Sequence, residues 1–318
     1  MSNIKPSVFG PISEEPVLSP LRVLVVVCAY NEEKNIVIPV ARAVAEGFDV
    51  LVVDDGSEDH TSEVAAELGA RVLRNPERLG KAAALEKAIQ YAKSQGYDAI
   101  IEIDADAIPI RGSIGRLYHH LLRPEVGGVS ARQIPLGEGL AYKIDEVMWE
   151  ILRLAKHLQQ RLGREVHLGA VMYGVKLCHV KKIVGVINDD EFIGIMVTRD
   201  GKRNYFAEDC IVYFDASTSI KHIFTRRKRM ILGHLQLGKS TAPSMNLDVL
   251  LMATFLAVIR KPSRFVWLLP AIAIEVAAQI AARTDFRKID KVRQYIRWHT
   301  HGLKRPFTVT NFYLRLQW

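Results

Sequence analysis

Two aspartates with a single alanine between them close an apolar run in this sequence. The stretch AIIEIDADAIP, residues 99–109, has the pattern of a buried strand that ends in Asp104 and Asp106. Residues two apart on a strand share one face, and unpaired charge on a buried strand is costly. Because Mg2+ commonly takes one or two carboxylates together with substrate phosphates, the pair predicts a cation site for a phosphorylated ligand. The alternative is two solvated turn residues.

Polar groups also stand at the ends of other predicted elements. They are Tyr30, Asn31 and Glu32 after VLVVVCA, Asp54 and Asp55 after DVLVV, and Gly80 and Lys81 at the start of GKAAALEKAIQ. The backbone N–H groups of a helix N-terminus suit a phosphate, and a lysine beside them adds a positive charge. Lys81 is therefore a candidate phosphate ligand.

The elements that must position these groups alternate along the first half of the chain. Strand patterns cover 22–30, 48–56, 70–75 and 97–106, and helix patterns cover 31–47, 57–69 with Ser57 as N-cap, and 80–96 closed by Gly96. Strands that are apolar on both faces and separated by helices indicate a mostly parallel sheet covered on both sides. Ligands of such sheets bind beyond the carboxyl ends of the strands, where most of these polar groups lie.

The middle of the chain is less regular. Strands are predicted at 127–134, 166–175 and 204–216, and helices at 138–162 and 188–201. The three cysteines have neither metal-ligand nor disulfide-framework spacing, which indicates a reduced, cytosolic environment. The first 20 residues lack the apolar core of a signal peptide and are expected to form a loosely ordered arm.

Positive charge concentrates in the last third. The chain has a net charge of +8, and much of the excess follows residue 220. Such a region suits nucleic acid, an anionic membrane surface or a polyphosphate ligand, and the simplest alternative is a solvated basic surface. An acidic cleft and few aromatic residues among the cations disfavour a nucleic-acid partner.

Two apolar segments, 247–259 and 265–282, follow the basic run. Spanning a bilayer takes about 20 apolar residues; the first segment is shorter, and the second contains Pro270 and Glu275. Three cations in the linker RKPSR oppose a spanning hairpin with the linker outside. We expect two helices that lie in the membrane interface, the alternative being core helices of a soluble second domain. The predicted division is therefore 1–20, 21–220 and 221–318.

Together the four polar motifs, in this order and on these elements, resemble the inverting family 2 glycosyltransferases. The resemblance covers roughly residues 21–235 and implies an α/β GT-A fold, with a mostly parallel sheet flanked by helices and a C-terminal apolar helical region. It further implies the following roles: Tyr30, Asn31 and Glu32 at the nucleobase, Asp54 with or without Asp55 at the base or ribose, Lys81 at the donor, Asp104 at the ribose and metal, and Asp106 as direct ligand of Mg2+ or Mn2+. Cys28 and Ala29 stand where the family often has proline.

The segment INDDEFIGIMVTRDG resembles the family's acidic motif before its last strand. By spacing to Gly201, Asp190 matches the catalytic base, with Asp189 as the second choice. A carboxylate there would take the acceptor proton during an in-line displacement. The alternative is a capping cluster at a helix N-terminus, which the helix dipole favours.

Two further segments resemble elements of membrane-bound relatives. Arg226 and Arg229 match a diphosphate-binding R-x-x-R element, with Met230 in place of the family's tryptophan, and would share one helix face. The alternative is a basic helix that touches anionic lipid. In HLGAVMYGVK, His167, Gly169 and Tyr173 are acceptor-site candidates, and core packing is the alternative.

The resemblance thus implies a metal-dependent inverting transferase. The apolar C-terminal third indicates the cytoplasmic face of a membrane, with the protein peripheral or integral through its C-terminal helices, and hence a membrane-linked acceptor. The transferase would move a sugar from a UDP- or GDP-sugar to a hydroxyl of a lipid-linked acceptor or cell-surface glycan. A non-catalytic nucleotide-sugar-binding or membrane scaffold protein of the same fold is the alternative. A sugar-nucleotide pyrophosphorylase would carry a glycine-rich loop after the first strand, and CAYNEEKN has no glycine.

Overall fold

The computed structural model describes residues 20–169, 171–183, 185–238 and 246–287. The predicted N-terminal arm up to residue 19 and the basic tail beyond Arg287 lie outside the described residues. The strands are β1 Val23–Ala29, β2 Asp49–Asp54, β3 Arg71–Arg74, β4 Ala99–Ile103, β5 Ile108–Pro109, β6 Val126–Leu136, β7 Met172–Lys176 and β8 Arg203–Asp215. The α-helices are α1 Val37–Ala45, α2 Thr61–Glu67, α3 Lys81–Ser94, α4 Ser113–Leu121, α5 Gly139–Arg161, α6 Asp189–Arg199, α7 Ile220–Leu237, α8 Leu247–Arg260 and α9 Phe265–Phe286.

One sheet runs through the molecule in the order β3-β2-β1-β4-β7-β6-β8-β5. The four strands β3, β2, β1 and β4 are mutually parallel, as predicted, and β6 and β8 are also parallel. Strand β7 runs antiparallel to both β4 and β6. In the parallel part Ala29 lies level with Asp54, so the polar groups that follow β1 and β2 meet at one edge. The mostly parallel sheet flanked by helices is confirmed.

Alternate residues of the central strands enter two separate cores. On β1, Val25 and Val27 belong to one core, while Leu24 and Val26 belong to the other. Helices cover both cores. As a result, β1 is buried along its whole length and exposes neither face. This two-sided burial is the physical reason that the strand sequences are apolar at every position.

Three local predictions need correction. Helix α1 begins at Val37 rather than at residue 31, and α2 begins at Thr61. Ser57 is not the N-cap of α2, because the cap position is His60; the Ser57 hydroxyl instead accepts a hydrogen bond from the Asn31 N–H. The strand predicted from residue 166 begins at Met172.

Side chains of β6 hold the segment that precedes β7. The Gly169 N–H donates to Ser130 Oγ over 3.1 Å, and Gln133 Nε2 donates to the Gly169 carbonyl over 2.9 Å. These bonds satisfy the backbone of Gly169 without a strand ladder. An apolar pattern could not reveal them, because the partners lie 36 and 39 residues away.

Helices α8 and α9 place small residues inward and large apolar residues outward. The inward residues pack against α5 and α7 and are Val249, Ala253, Ala257, Ala271, Ile274, Ala278 and Ala282. The exposed ones include Leu247, Leu251, Phe255 and Ile259 on α8 and Phe265, Leu269, Ile272, Val276 and Ile280 on α9. Among the described residues, 262–286 form the one helix that is long and apolar enough to cross a membrane by length and composition. Both helices therefore carry an apolar outer stripe.

Charged side chains fasten α7 to its neighbours. Arg227 pairs with Glu275 of α9 at 2.7 Å, and Lys228 pairs with Asp285 of the same helix. On another side of α7, Arg226 makes a two-point ion pair with Asp145 of α5, whose side chain is fully buried. The carboxylates of α9 thus face protein cations, which removes the cost of placing them in an apolar helix.

Replacement of Arg226 by methionine is expected to lower the free energy of unfolding by about 3 kcal/mol, because it leaves the buried Asp145 carboxylate without its cation. Urea denaturation of the native chain and Arg226→Met measures the change. Arg199→Met is the control; this exposed arginine at the end of α6 should shift the value by at most about 0.5 kcal/mol. A loss below about 1 kcal/mol for Arg226→Met would show that the pair is not a structural anchor.

Candidate active site

The loops after β1 and β2 are bonded to each other. The Asn31 N–H donates to Ser57 Oγ over 2.9 Å, and Glu58 N–H donates to Asn31 Oδ1 over 2.8 Å. The Glu32 N–H donates to Thr61 Oγ1 over 2.8 Å. Asn31 adopts a φ of 56°, a left-handed conformation that asparagine tolerates better than most residues. These bonds place the Glu32 side chain at the edge of the sheet.

Asp54 and Asp55 are fully buried, and their carboxylates accept hydrogen bonds from the loop after β2 and the loop before α3, respectively. Asp54 accepts a hydrogen bond from Ser57 N–H over 2.8 Å. Asp55 accepts from Leu79 N–H over 2.9 Å and Gly80 N–H over 2.7 Å. The resemblance implied that these two residues contact the base or ribose, but neither exposes a carboxylate oxygen that could do so. Their carboxylates instead shape the loop that leads into α3.

Lys81 begins α3 beside β4. It follows Gly80, whose φ of 99° and ψ of 158° are accessible in practice only to glycine. The Lys81 ammonium lies 3.1 Å from Glu102 Oε1 and also contacts Asp104 Oδ1. Glu102 is fully buried; burial raises its pKa, whereas the Lys81 charge beside it favours the ionised carboxylate. Sequence reasoning missed Glu102, although a glutamate two positions before Asp104 on the same strand face was a usable signal.

Asp104 and Asp106 bring two carboxylates to the end of β4. Asp106 is exposed at the end of the strand, and desolvation by the surrounding protein, together with the negative charges of Asp104 and Glu32, raises its pKa. Desolvation also raises the pKa of Glu32, and Asp104 contributes to that shift. Mutual repulsion among these oxygens is what a bound divalent cation would relieve. The donor set, hard carboxylate oxygens at a strand end, fits Mg2+ or Mn2+.

The N-terminus of α6 delivers the acidic motif to the same region. Asp189 is buried, burial raises its pKa, and the positive charges of Lys81 and Arg229 oppose this shift. Asp190 lies beside Gly169: a Cβ built on that glycine would stand 3.8 Å from Asp190 Oδ2 and 3.0 Å from Lys156 Nζ. Burial lowers the pKa of Lys156 to about 8, and Asp190 opposes the fall. Lys156 on α5 was not predicted, because nothing local distinguishes it.

Histidines surround the third acid of the motif. Glu191 lies 3.1 Å from His234 Nε2 and 3.7 Å from His167 Nδ1, and the two imidazole rings stack with centroids 6.0 Å apart. Burial raises the pKa of Glu191 to about 7. His167 therefore lies near the acidic motif, as an acceptor-site candidate should. His234, to which the sequence assigned no role, is its neighbour.

The two tyrosine candidates have different settings. Tyr30 is half-buried, and the Arg78 guanidinium lies 4.1 Å from its ring centroid. Tyr173 is 1% exposed and lies in a core cluster opposite Glu102 on the neighbouring strand. The core-packing alternative therefore describes Tyr173 in this structure. A buried ring cannot contact an acceptor without rearrangement of the sheet.

The structure thus brings most of the predicted residues to one edge of the sheet. Lys81, Asp104 and Asp189 interact electrostatically, Arg229 interacts with Asp189, and Gly169 lies beside Asp190. The guanidinium of Arg226 is instead taken by Asp145 and Ser217. Of the two predicted diphosphate ligands, Arg229 is the one that interacts with the acidic cluster.

Known proteins resemble this chain in the region of the site. Residues 24–175 match the model of Glycosyl transferase family 2. The polyprenol monophosphomannose synthase of Mycolicibacterium smegmatis is 29% identical over 124 residues, 36% of this chain and 47% of that protein. The undecaprenyl-phosphate mannosyltransferase of Micrococcus luteus is 29% identical over 126 residues, 37% of this chain and 51% of that protein. The chain spans about half the length of these curated relatives.

A solved structure supports the fold. Glucosyl-3-phosphoglycerate synthase from Mycobacterium tuberculosis, in complex with Mg2+ and uridine diphosphate, superposes with a TM-score of 0.52. The two chains are 20% identical, and the match covers 68% of this chain and 79% of the other. At this identity the likeness concerns the fold alone. Over residues 24–175 the chain thus matches glycosyltransferase family 2, and it has the GT-A fold that its sequence motifs resemble.

Proposed function

We propose that this protein transfers a sugar from a nucleotide-diphospho-sugar to a polyprenyl phosphate or a related lipid-linked acceptor. The observation that carries the proposal is the convergence of Lys81, Asp104 and Asp106 with the acidic N-terminus of α6. The names of the mannosyltransferase relatives support a polyprenyl phosphate acceptor. The alternative, a nucleotide-sugar-binding scaffold without activity, shares the fold but needs no acid at position 190.

The donor half of the site would hold a divalent cation on Asp104 and Asp106. Mg2+ or Mn2+ there would supply positive charge to the leaving diphosphate. Tyr30, Asn31 and Glu32 would face the nucleobase, and the buried Asp54 and Asp55 would support that pocket. Lys81 and Arg229 add fixed cations that are close enough to Asp189 to influence it electrostatically. Preorganised cations of this kind stabilise the charge that develops as the sugar departs.

Calorimetric titration with UDP, GDP and TDP, with and without Mn2+, tests the donor half. One nucleotide is expected to bind the native chain, and its affinity should fall at least about tenfold without Mn2+, because the metal would neutralise the diphosphate. Asp106→Asn should remove the metal dependence, whereas Asp209→Asn, an exposed aspartate paired with His120, should retain it. A folded native chain that binds none of the three would favour the scaffold alternative.

The acceptor half would lie beside Gly169. Asp190 is the candidate base and Asp189 the second choice; the Lys81 and Arg229 charges act on Asp189. The Lys156 ammonium lies near Asp190 and would attract an acceptor phosphate. His167 and Gly169 would line the same approach, and Tyr173 would support it from the core.

Asp190→Asn is expected to lower kcat about 100-fold or more, because the variant cannot take the acceptor proton. The assay pairs the nucleotide-sugar of the nucleotide that binds with a short-chain polyprenyl phosphate. Asp200→Asn, an exposed aspartate at the end of α6, is the control and should leave kcat unchanged. The assay is run near pH 5, where the acceptor phosphate, whose second pKa is about 6, still carries the proton that a base must take. A loss below about threefold there would remove this role from Asp190.

The apolar stripes of α8 and α9 would hold the site at a membrane. Leu251 and Phe255 on α8 and Leu269 on α9 are each more than 60% exposed, which suits burial among acyl chains better than contact with water. Arg260 and Lys261 stand exposed between the two helices, where anionic lipid headgroups would attract them. The proposed position is the cytoplasmic face of a membrane, peripheral or integral through these helices, with Glu275 and Asp285 facing α7 rather than lipid.

Leu251→Glu combined with Phe255→Glu is expected to reduce vesicle binding at least about tenfold, because burial of each apolar side chain contributes about 1.5–3 kcal/mol. Flotation with vesicles of phosphatidylcholine and phosphatidylglycerol measures the bound fraction. Val44→Glu introduces a charge at an exposed valine of α1 and serves as the control. Equal binding of the native chain and the double variant would contradict a membrane role for α8.

A further inference from the structure

Glu102, Lys81 and Asp104 form a layered ion-pair cluster. Glu102 is fully buried, whereas the side chains of Lys81 and Asp104 are 20% and 29% exposed. Lys81 contacts both carboxylates, and within the described part of the chain it is the one cation in ion-pair contact with either of them. The Lys81 ammonium group is therefore the counter-charge of two carboxylates, the fully buried Glu102 and the partly exposed Asp104.

The two partners of Lys81 differ in how far they can move. Glu102 lies in β4, with Val26 of β1 on one side and Tyr173 of β7 on the other. Its backbone is paired along both edges of the strand, and its side chain is fully buried. Lys81 has four flexible methylenes and reaches the cluster from the first position of α3. If the ion pairs of the cluster rearrange, the Lys81 side chain is therefore the group that moves.

A divalent cation on Asp104 and the ammonium of Lys81 compete for the same oxygens. Two positive groups cannot share one carboxylate without strong repulsion. If Lys81 had no other counter-charge, metal binding would leave a partly buried ammonium unpaired, which is costly. Glu102 supplies that counter-charge at 3.1 Å.

We infer that Glu102 is a positioning residue that retains the Lys81 ammonium beside the donor diphosphate when a divalent cation takes up Asp104. The inference rests on the proposed function, because it requires a metal at Asp104. Glu102 itself would touch neither the nucleotide nor the sugar. It would act through Lys81, which exchanges Asp104 for Glu102 as its main partner.

Mn2+ binding, measured by electron paramagnetic resonance with and without the nucleotide that binds the native chain, tests this inference. Glu102→Gln keeps the shape of the side chain and removes its charge, so Mn2+ affinity should fall at least about tenfold. The double variant Lys81→Met/Glu102→Gln should recover Mn2+ affinity to within about threefold of the native value, since no ammonium then competes for Asp104. Its nucleotide affinity should stay low, because Lys81 is absent.

The rescue separates positioning from a merely structural role, because a distorted site would not recover when a second residue is removed. Glu86→Gln is the matched control: this buried glutamate of α3 bonds to Gln90 and to the Ile183 N–H, outside the cluster. Native Mn2+ affinity in Glu102→Gln, or equally weak binding in the single and double variants, would overturn the inference. Should Glu102→Gln fail to fold, Lys81→Met alone must bind Mn2+ more tightly than the native chain. Absence of Mn2+ binding in the native chain would instead overturn the proposed function, and this inference with it.

Discussion

The contact of the Lys81 ammonium group with Glu102 of β4 and with Asp104, just after that strand, is the interaction around which the site is built. Its position depends on the start of α3, which the Asp55 carboxylate fixes through the N–H groups of Leu79 and Gly80. Asp55 in turn follows β2, which is aligned with β1 residue by residue. A chain of hydrogen bonds thus runs from the parallel sheet to the cation that faces Asp104.

Helix α7 connects this site to the apolar helices. The Asn188 side chain donates to the Met230 carbonyl of α7, just before Asp189 begins α6. A Cβ on Gly233 would stand 2.2 Å from Asn188 Cγ, so the absence of a side chain permits this contact. Arg227 of the same helix pairs with Glu275 of α9. Helix α7 therefore contacts both the residue before the acidic motif and helix α9, which is proposed to contact lipid.

The acids of the site illustrate how one residue type can serve different purposes. Asp55 is fully buried and saturated by N–H donors, which makes it part of the scaffold. Asp106 lies in a crowded group of negative charges that a cation would relieve. Glu102 is fully buried against a single ammonium. Environment rather than residue type separates these roles, because burial and neighbouring charges decide which protonation state is stable.

Sequence alone determined the class of fold and the edge of the sheet at which the polar motifs meet. This was possible because apolar runs of strand length, helix caps and the order of elements are local features, and parallel strands end at a common edge. The family resemblance in the motifs around Tyr30, Asp54, Lys81 and Asp104 was confirmed by the match over residues 24–175.

The tertiary structure decided which side chains form ion pairs and which are buried in the core. The pairing of Arg226 with Asp145, 81 residues away, and the burial of Tyr173 in the core could not be derived from neighbours in sequence. The same holds for Glu102 beneath Lys81 and for Lys156 beside Asp190. Local sequence determines which face of an element is apolar, whereas the partner of a charged side chain depends on which distant element packs against that face.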